Sequence, residues 1–127
     1  MAALLAHRAQ FVTTLEINTE LAAIASQNLE QADVYNAKVV VADGSKDLSS
    51  FGSFNVIVLS GSVAQIPANI LNMLSIGGRC MAIVGDEPIM RATLVQRVSE
   101  TAFETKQSWD TVAPRLSGFA ETPRFQF

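Results

Sequence analysis

Strand-like and helix-like stretches alternate along this chain, and that alternation constrains its fold more than any other feature. Phe11-Val12-Thr13-Thr14-Leu15-Glu16 is a β-branched run of strand length. Asn18 or Thr19 can cap the helix that follows, whose apolar residues Leu21, Ile24, Ala25, Leu29 and Ala32 recur at helical spacing. Lys38-Val39-Val40-Val41 reads as a second strand, stopped by Asp43-Gly44, and Asp47 to Ser53 is polar and turn-rich. Phe54-Asn55-Val56-Ile57-Val58-Leu59 is a third strand and nearly all apolar. Such a run suits a parallel strand covered on both faces, because a half-exposed strand alternates.

Ser60-Gly61-Ser62 is expected to break the third strand. Pro67 suits a first helical position, with Ile66, Ile70, Leu71 and Leu74 as the buried stripe of a short helix. Gly77-Gly78 is expected to end that helix and Cys80-Met81-Ala82-Ile83-Val84 to form the fourth strand. The order implies a parallel sheet with right-handed crossovers. The rhythm then changes: Thr93–Val98 and Ala102–Trp109 read as two strands joined by a turn near Ser99-Glu100-Thr101, an antiparallel hairpin. At the other end, Met1 to Ala9 reads as the tail of a helix with no capping residue before it. Gly118 to Phe127 reads as loop or a loosely docked tail. The expected fold is therefore α/β: a Rossmann-like, mostly parallel sheet with helices on both faces and a C-terminal antiparallel hairpin, residues 1–127 forming one domain.

Composition narrows the function classes. Of 127 residues 49% are hydrophobic, enough for a core, yet no apolar run approaches the roughly 20 residues of a membrane span. The first eight residues lack the basic leading region of a signal peptide. One cysteine excludes an internal disulfide, and with a single histidine it excludes a Cys/His zinc site. A net charge of −3 with scattered cations leaves no footprint for nucleic acid or an anionic membrane. The remaining class is a cytoplasmic domain that handles a small molecule.

In doubly wound sheets, ligands sit outside the carboxyl ends of the strands, so the residues just past each strand are the candidates. Glu16 ends the first strand; its carboxylate can accept two hydrogen bonds from a ribose diol, or simply be a solvated strand end. Asp43-Gly44-Ser45 follows the second strand, where a carboxylate can accept from an exocyclic amino group such as that of adenine, or form an ordinary Asp-Gly turn. Ser60 and Ser62 follow the third strand and can contact a substrate, or belong to a plain strand-to-helix loop. His7 has no acid or nucleophile near it in sequence and reads as a surface residue. Cys80 reads as a small buried hydrophobe and Trp109 as core.

Together these segments resemble the S-adenosylmethionine-dependent methyltransferase fold, and more closely the protein-L-isoaspartate O-methyltransferase family. The likeness is carried by Val12-Thr13-Thr14-Leu15-Glu16-Ile17 with its helix, Val39-Val40-Val41-Ala42-Asp43-Gly44-Ser45 and Phe54-Asn55-Val56-Ile57-Val58. It continues through Ile66-Pro67, Leu74-Ser75-Ile76-Gly77-Gly78-Arg79 and the hairpin up to Val112-Ala113-Pro114. The resemblance implies that Glu16 binds the ribose of S-adenosyl-L-methionine and Asp43 its adenine amino group, with Gly44 letting the backbone approach the ring. It implies methyl transfer to a carboxylate oxygen of an isoaspartyl residue in a damaged protein or peptide.

The family's first strand, its Gly-rich loop and the N-terminal region with the substrate-binding and catalytic hydroxyl residues have no match in this sequence. Residues 1–127 are thus expected to be the C-terminal portion of a methyltransferase domain, inactive alone, with its catalytic residues unassigned. In the implied fold the absent strand lies between the first and third strands read here, so the chain is expected to self-associate or aggregate through exposed strand edges. Two other readings stay open: a nicotinamide-dinucleotide domain, in which an acid after the second strand also binds ribose, and a non-catalytic Rossmann-like binding or assembly module.

Overall fold

The computed structural model describes residues 5–7, 9–44, 51–86, 89–116 and 119. The expected start of the first helix, Ser45, most of the polar stretch after it, and nearly all of the C-terminal tail lie outside the described residues. The chain divides into two compact units, residues 1–46 and 47–127. Among the described residues, six strands form two sheets, one of two strands and one of four. No helix among the described residues is long and apolar enough to cross a membrane.

In the first unit, β1 (Val12–Glu16) and β2 (Ala37–Val41) pair in parallel, in register from Val12 opposite Ala37 to Glu16 opposite Val41. The crossover between them is α1 (Thr19–Gln31). Asn18 is its N-cap: the extended backbone of Asn18 leaves Oδ1 free to accept from the N–H groups of Glu20 at 2.9 Å and Leu21 at 3.1 Å. Those are two of the donors that a helix start leaves without a partner. Asn18→Ala is therefore expected to cost about 1 kcal/mol in denaturant unfolding, and Asn18→Ser much less. At the other end Asp33 turns into the left-handed region at φ 56°, and the Val34 N–H reaches back to the Leu29 carbonyl at 2.9 Å. This is the closure that glycine usually provides.

The stripe expected on α1 is only partly buried. Ala22 and Leu29, two turns apart, are covered, whereas Leu21 and Ile24 stay exposed. The unit offers the helix one narrow sheet, so a narrow stripe finds cover. Asn36 ties the entry to this sheet: its Nδ2 donates to the carbonyls of Ala6 at 2.7 Å and Ala9 at 3.0 Å, and its own carbonyl accepts from Val12 at 2.8 Å.

The second unit is a four-stranded sheet of β3 (Phe54–Val63), β4 (Leu74–Asp86), β5 (Ile89–Arg97) and β6 (Phe103–Thr111) in that spatial order. β3 and β4 are parallel; β4–β5 and β5–β6 are antiparallel, which realises the expected hairpin with longer strands. Ile57, Cys80 and Val95 lie side by side across three strands, and Cys80 and Val95 join Ile70 and Leu74 in the core. Cys80 is fully buried, and desolvation pushes its thiol up to about 11, so it packs as a neutral small hydrophobe.

Three boundaries differ from expectation. β3 continues through Ser60-Gly61-Ser62 to Val63, because Ser62 and Val63 pair with Ile83 and Val84 of β4 after a register shift, and a later segment bridges to Ser62 as well. The helix shrinks to α2 (Ala68–Leu71), with Pro67 as its N-cap, and Leu74 opens β4 instead of closing the helix. Gly77-Gly78 lies inside β4: the register jumps from Phe54–Leu74 to Val56–Arg79, and Gly77 absorbs the extra residues at φ 86°. Arg97 braces this region by donating to the carbonyls of Leu74 at 2.7 Å, Asn72 at 3.2 Å and Glu100 at 2.6 Å, while its guanidinium lies over the Phe103 ring. Trp109 is not core: it is 62% exposed on β6, the outer strand.

Candidate functional site

Parallel pairing of β1 and β2 brings their carboxyl ends to one side of the first unit. Glu16 is the last residue of β1 and lies opposite Val41, the last residue of β2. The chain leaving β2 stays close, since the Ala42 N–H donates to the Glu16 carbonyl at 3.1 Å. Asp43 and the turn residue Gly44 follow directly, both half-buried. Two carboxylates from sequence positions 27 residues apart (43 − 16) thus flank one sheet end.

The Glu16 carboxylate is held in place locally: Oε1 accepts from the Asn18 N–H at 3.1 Å, fixing the side chain toward the start of α1. A carboxylate has acceptor capacity for several donors, so this bond leaves Glu16 able to take a diol. The helix that follows also begins here, and its N-terminal N–H groups favour negative charge nearby. An acid that accepts a vicinal diol, beside an acid that accepts an amino group, is a donor-reading pair suited to an adenosine-like ligand. The shallow cavity of about 230 Å³ between α1 and β2 lies elsewhere, at the amino end of β2 beside Lys38 and Glu30.

In the second unit, Ser60 and Ser62 sit at the carboxyl end of β3 with different surroundings. Ser60 is exposed. Ser62 is fully buried, and its hydroxyl donates to the Ala113 carbonyl at 2.9 Å. Its N–H donates to the Pro114 carbonyl at 2.7 Å, and its carbonyl accepts from Leu116 at 2.9 Å. The Ser62 hydroxyl and backbone hold the segment after β6 against β3. Gly61 is required by the same contact, because a Cβ there would come within 2.7 Å of Leu116 Cδ2 and 2.8 Å of the Pro114 carbonyl.

Sequence reasoning missed the residues that complete this clasp. Arg115 pairs with Ser62 in a parallel bridge, and its Nη2 meets Asp86 Oδ1 at 2.6 Å at the end of β4. Asp86 and Arg115 are 29 residues apart, on a strand end and a loop, so no spacing rule joins them. The only hint is Gly61, whose missing side chain signals a close neighbour.

Comparisons with known proteins identify the family and the fold. The family model for protein-L-isoaspartate(D-aspartate) O-methyltransferase matches residues 1–113. The chain is 30% identical over 113 residues to the protein-L-isoaspartate O-methyltransferase of Staphylothermus marinus, covering 88% of this chain and 50% of that protein. It is 33% identical over 105 residues to the enzyme of the same name from Koribacter versatilis, covering 83% and 47%. Among solved structures, a Plasmodium falciparum protein-L-isoaspartate O-methyltransferase in complex with S-adenosyl-L-homocysteine superposes with a TM-score of 0.74 at 14% identity, over 84% of this chain and 52% of that one. A second structure bearing the family name gives a TM-score of 0.75 at 21% identity, over 85% of this chain and 34% of the other. The fold is the α/β methyltransferase fold, and the chain spans about half the length of the curated relatives it matches. With its strand-end acids and closing hairpin in place, the chain belongs to the protein-L-isoaspartate(D-aspartate) O-methyltransferase family.

Proposed function

We propose that this chain contributes the adenosine side of the site of an S-adenosyl-L-methionine-dependent protein carboxyl O-methyltransferase that acts on L-isoaspartyl residues in the cytoplasm. The observation that carries the reading is the placement of Glu16 and Asp43 at one end of adjacent parallel strands, locked by the bond from Ala42 to the Glu16 carbonyl. When bound, S-adenosylmethionine supplies a methyl group already activated on a sulfonium, so the protein's task is mainly positioning. In this reading Glu16 accepts the ribose hydroxyls, Asp43 accepts the adenine amino group, and Gly44 leaves room for the ring. Ser60, exposed at the end of β3, meets the peptide, while Ser62 steadies the same strand end through residues 113–116. The partners are an isoaspartyl-containing peptide and a further copy of the chain met through strand edges.

Calorimetry with S-adenosylhomocysteine and with NAD, on an N-terminally extended chain that carries the Gly-rich loop, tests the cofactor assignment. Binding of the first and not the second is expected. The reverse result favours a dinucleotide-binding domain, and binding of neither favours a non-catalytic module. The methyl-transfer step itself is assigned to residues outside this chain. The purified chain is expected to methylate no isoaspartyl peptide, and measurable transfer would overturn that part of the reading.

A further inference from the structure

Asp43-Gly44 is the only place in the sequence where an aspartate or asparagine precedes glycine. The distinction is chemical. A backbone nitrogen attacks the side-chain carbonyl of the residue before it most easily when the attacking residue has no Cβ, and only glycine has none. Every other aspartate and asparagine is followed by a residue with a side chain, such as Val34 after Asp33 or Met73 after Asn72. The attack also needs a backbone angle that neither a helix nor a strand supplies. Asn28, Asn55, Asn69, Asp86 and Asp110 stand inside α1, β3, α2, β4 and β6. Asp43 does not. β2 ends at Val41, the Ala42 N–H still reaches the Glu16 carbonyl, and Asp43 and Gly44 follow outside any helix or strand, both half-buried and so in reach of water.

We infer that Asp43 is a site of spontaneous isomerisation, at which ageing turns the acid into an isoaspartyl residue and withdraws it from the adenosine end. The Gly44 nitrogen bonds to Asp43 Cγ. The Cγ–OH bond of the protonated carboxyl breaks, and the proton of the Gly44 N–H leaves with that hydroxyl as water. Solvent water then opens the five-membered imide. Opening at Cγ restores aspartate, whereas breaking the bond between the Asp43 carbonyl carbon and the Gly44 nitrogen leaves the chain running through Cγ. One water is lost and one regained, and nothing is oxidised or reduced. In the isoaspartyl product Cβ has entered the main chain and the free carboxylate sits directly on Cα. The acid is one methylene shorter, and Gly44 lies one bond further from Ala42. The loss of function rests on the reading of Asp43 as acceptor for the adenine amino group; the lesion itself does not.

Peptide mapping of the full chain, incubated for weeks at physiological temperature and pH, tests the proposal. Lys38 and Lys46 let trypsin release Val39–Lys46, in which Asp43 is the only aspartate or asparagine. Electron-transfer fragmentation then tells isoaspartate from aspartate. Isoaspartate is expected at residue 43 ahead of every other Asp and Asn, with a transient form lighter by one water. Gly44→Ala is expected to slow the conversion at least about tenfold, since it adds the hindering Cβ. Should Gly44→Ala not fold, the order in which the sites of the unaltered chain convert decides alone. In the N-terminally extended chain, ageing is expected to lower the stoichiometry of S-adenosylhomocysteine binding in step with the isoaspartyl fraction, while the remaining sites keep their affinity. Asp43 that stays intact, earlier conversion elsewhere, or a rate indifferent to Gly44→Ala overturns the proposal. A stoichiometry that holds while Asp43 converts overturns the withdrawal of the acid. A fresh extended chain that binds no S-adenosylhomocysteine sinks the cofactor reading instead, and the mapping result stands apart from it.

Discussion

Leu74→Ala is expected to destabilise the second unit by about 3–5 kcal/mol, at the upper end of large-to-small core substitutions. Leu74 opens β4 at 1% exposure, in the cluster with Ile70, Cys80 and Val95, and partly buried Leu59, Ile66 and Phe103 pack around that cluster. The cavity would be walled by strand residues fixed by ladder hydrogen bonds and by Arg97, whose Nη1 holds the Leu74 carbonyl at 2.7 Å, so collapse is restricted. A loss of this size is a large fraction of the roughly 5–15 kcal/mol of a whole domain. Guanidinium unfolding followed at Trp109 measures it. A change under about 1 kcal/mol, the scale of surface substitutions, would show that Leu74 is not at the centre of the core.

Glu16→Ala is expected to weaken S-adenosylhomocysteine binding about 10–100-fold, because a hydrogen bond to a charged acceptor contributes about 1.5–3 kcal/mol and each 1.4 kcal/mol is tenfold. The fold should survive the change. The Asn18 N–H that loses its partner is exposed, so water replaces the 3.1 Å bond, and the cap made by the Asn18 side chain is untouched. Glu16→Gln keeps an acceptor at the same place without the charge and is expected to fall between wild type and Glu16→Ala. Titration calorimetry on the three proteins reads the series. Equal affinity across it would remove Glu16 from the ribose and return it to a solvated strand end.

How much of this was legible in the sequence varies with the kind of interaction. β1, β2 and the helix between them followed from β-branched runs and from Asn18, since propensity and capping act over a few residues. The apolar length of Phe54–Leu59 marked a parallel strand, and the pairing with β4 is parallel. The short helix was overread because Leu74 and the Gly77-Gly78 pair fit a helix end in isolation; in the folded chain the same glycines serve a bulge in β4. Trp109 was misjudged because period two tells which residues share a face, not whether a layer covers that face. The contacts of Ser62 were not legible for a similar reason, since Ala113, the acceptor for its hydroxyl, lies 51 residues further along the chain.

The sequence by itself determined the order of elements, the pair of acids at strand ends and the family, because those depend on local propensity and on residues at fixed spacing. Only the tertiary structure decided that Glu16 and Asp43 share one sheet end, that the Ser62 hydroxyl is spent on Ala113, and that Asp86 and Arg115 clasp the segment after β6. It also decided which strands stand at the edges of each sheet. Neighbours in space are set by strand register and chain crossing, long-range choices that no single stretch of sequence encodes.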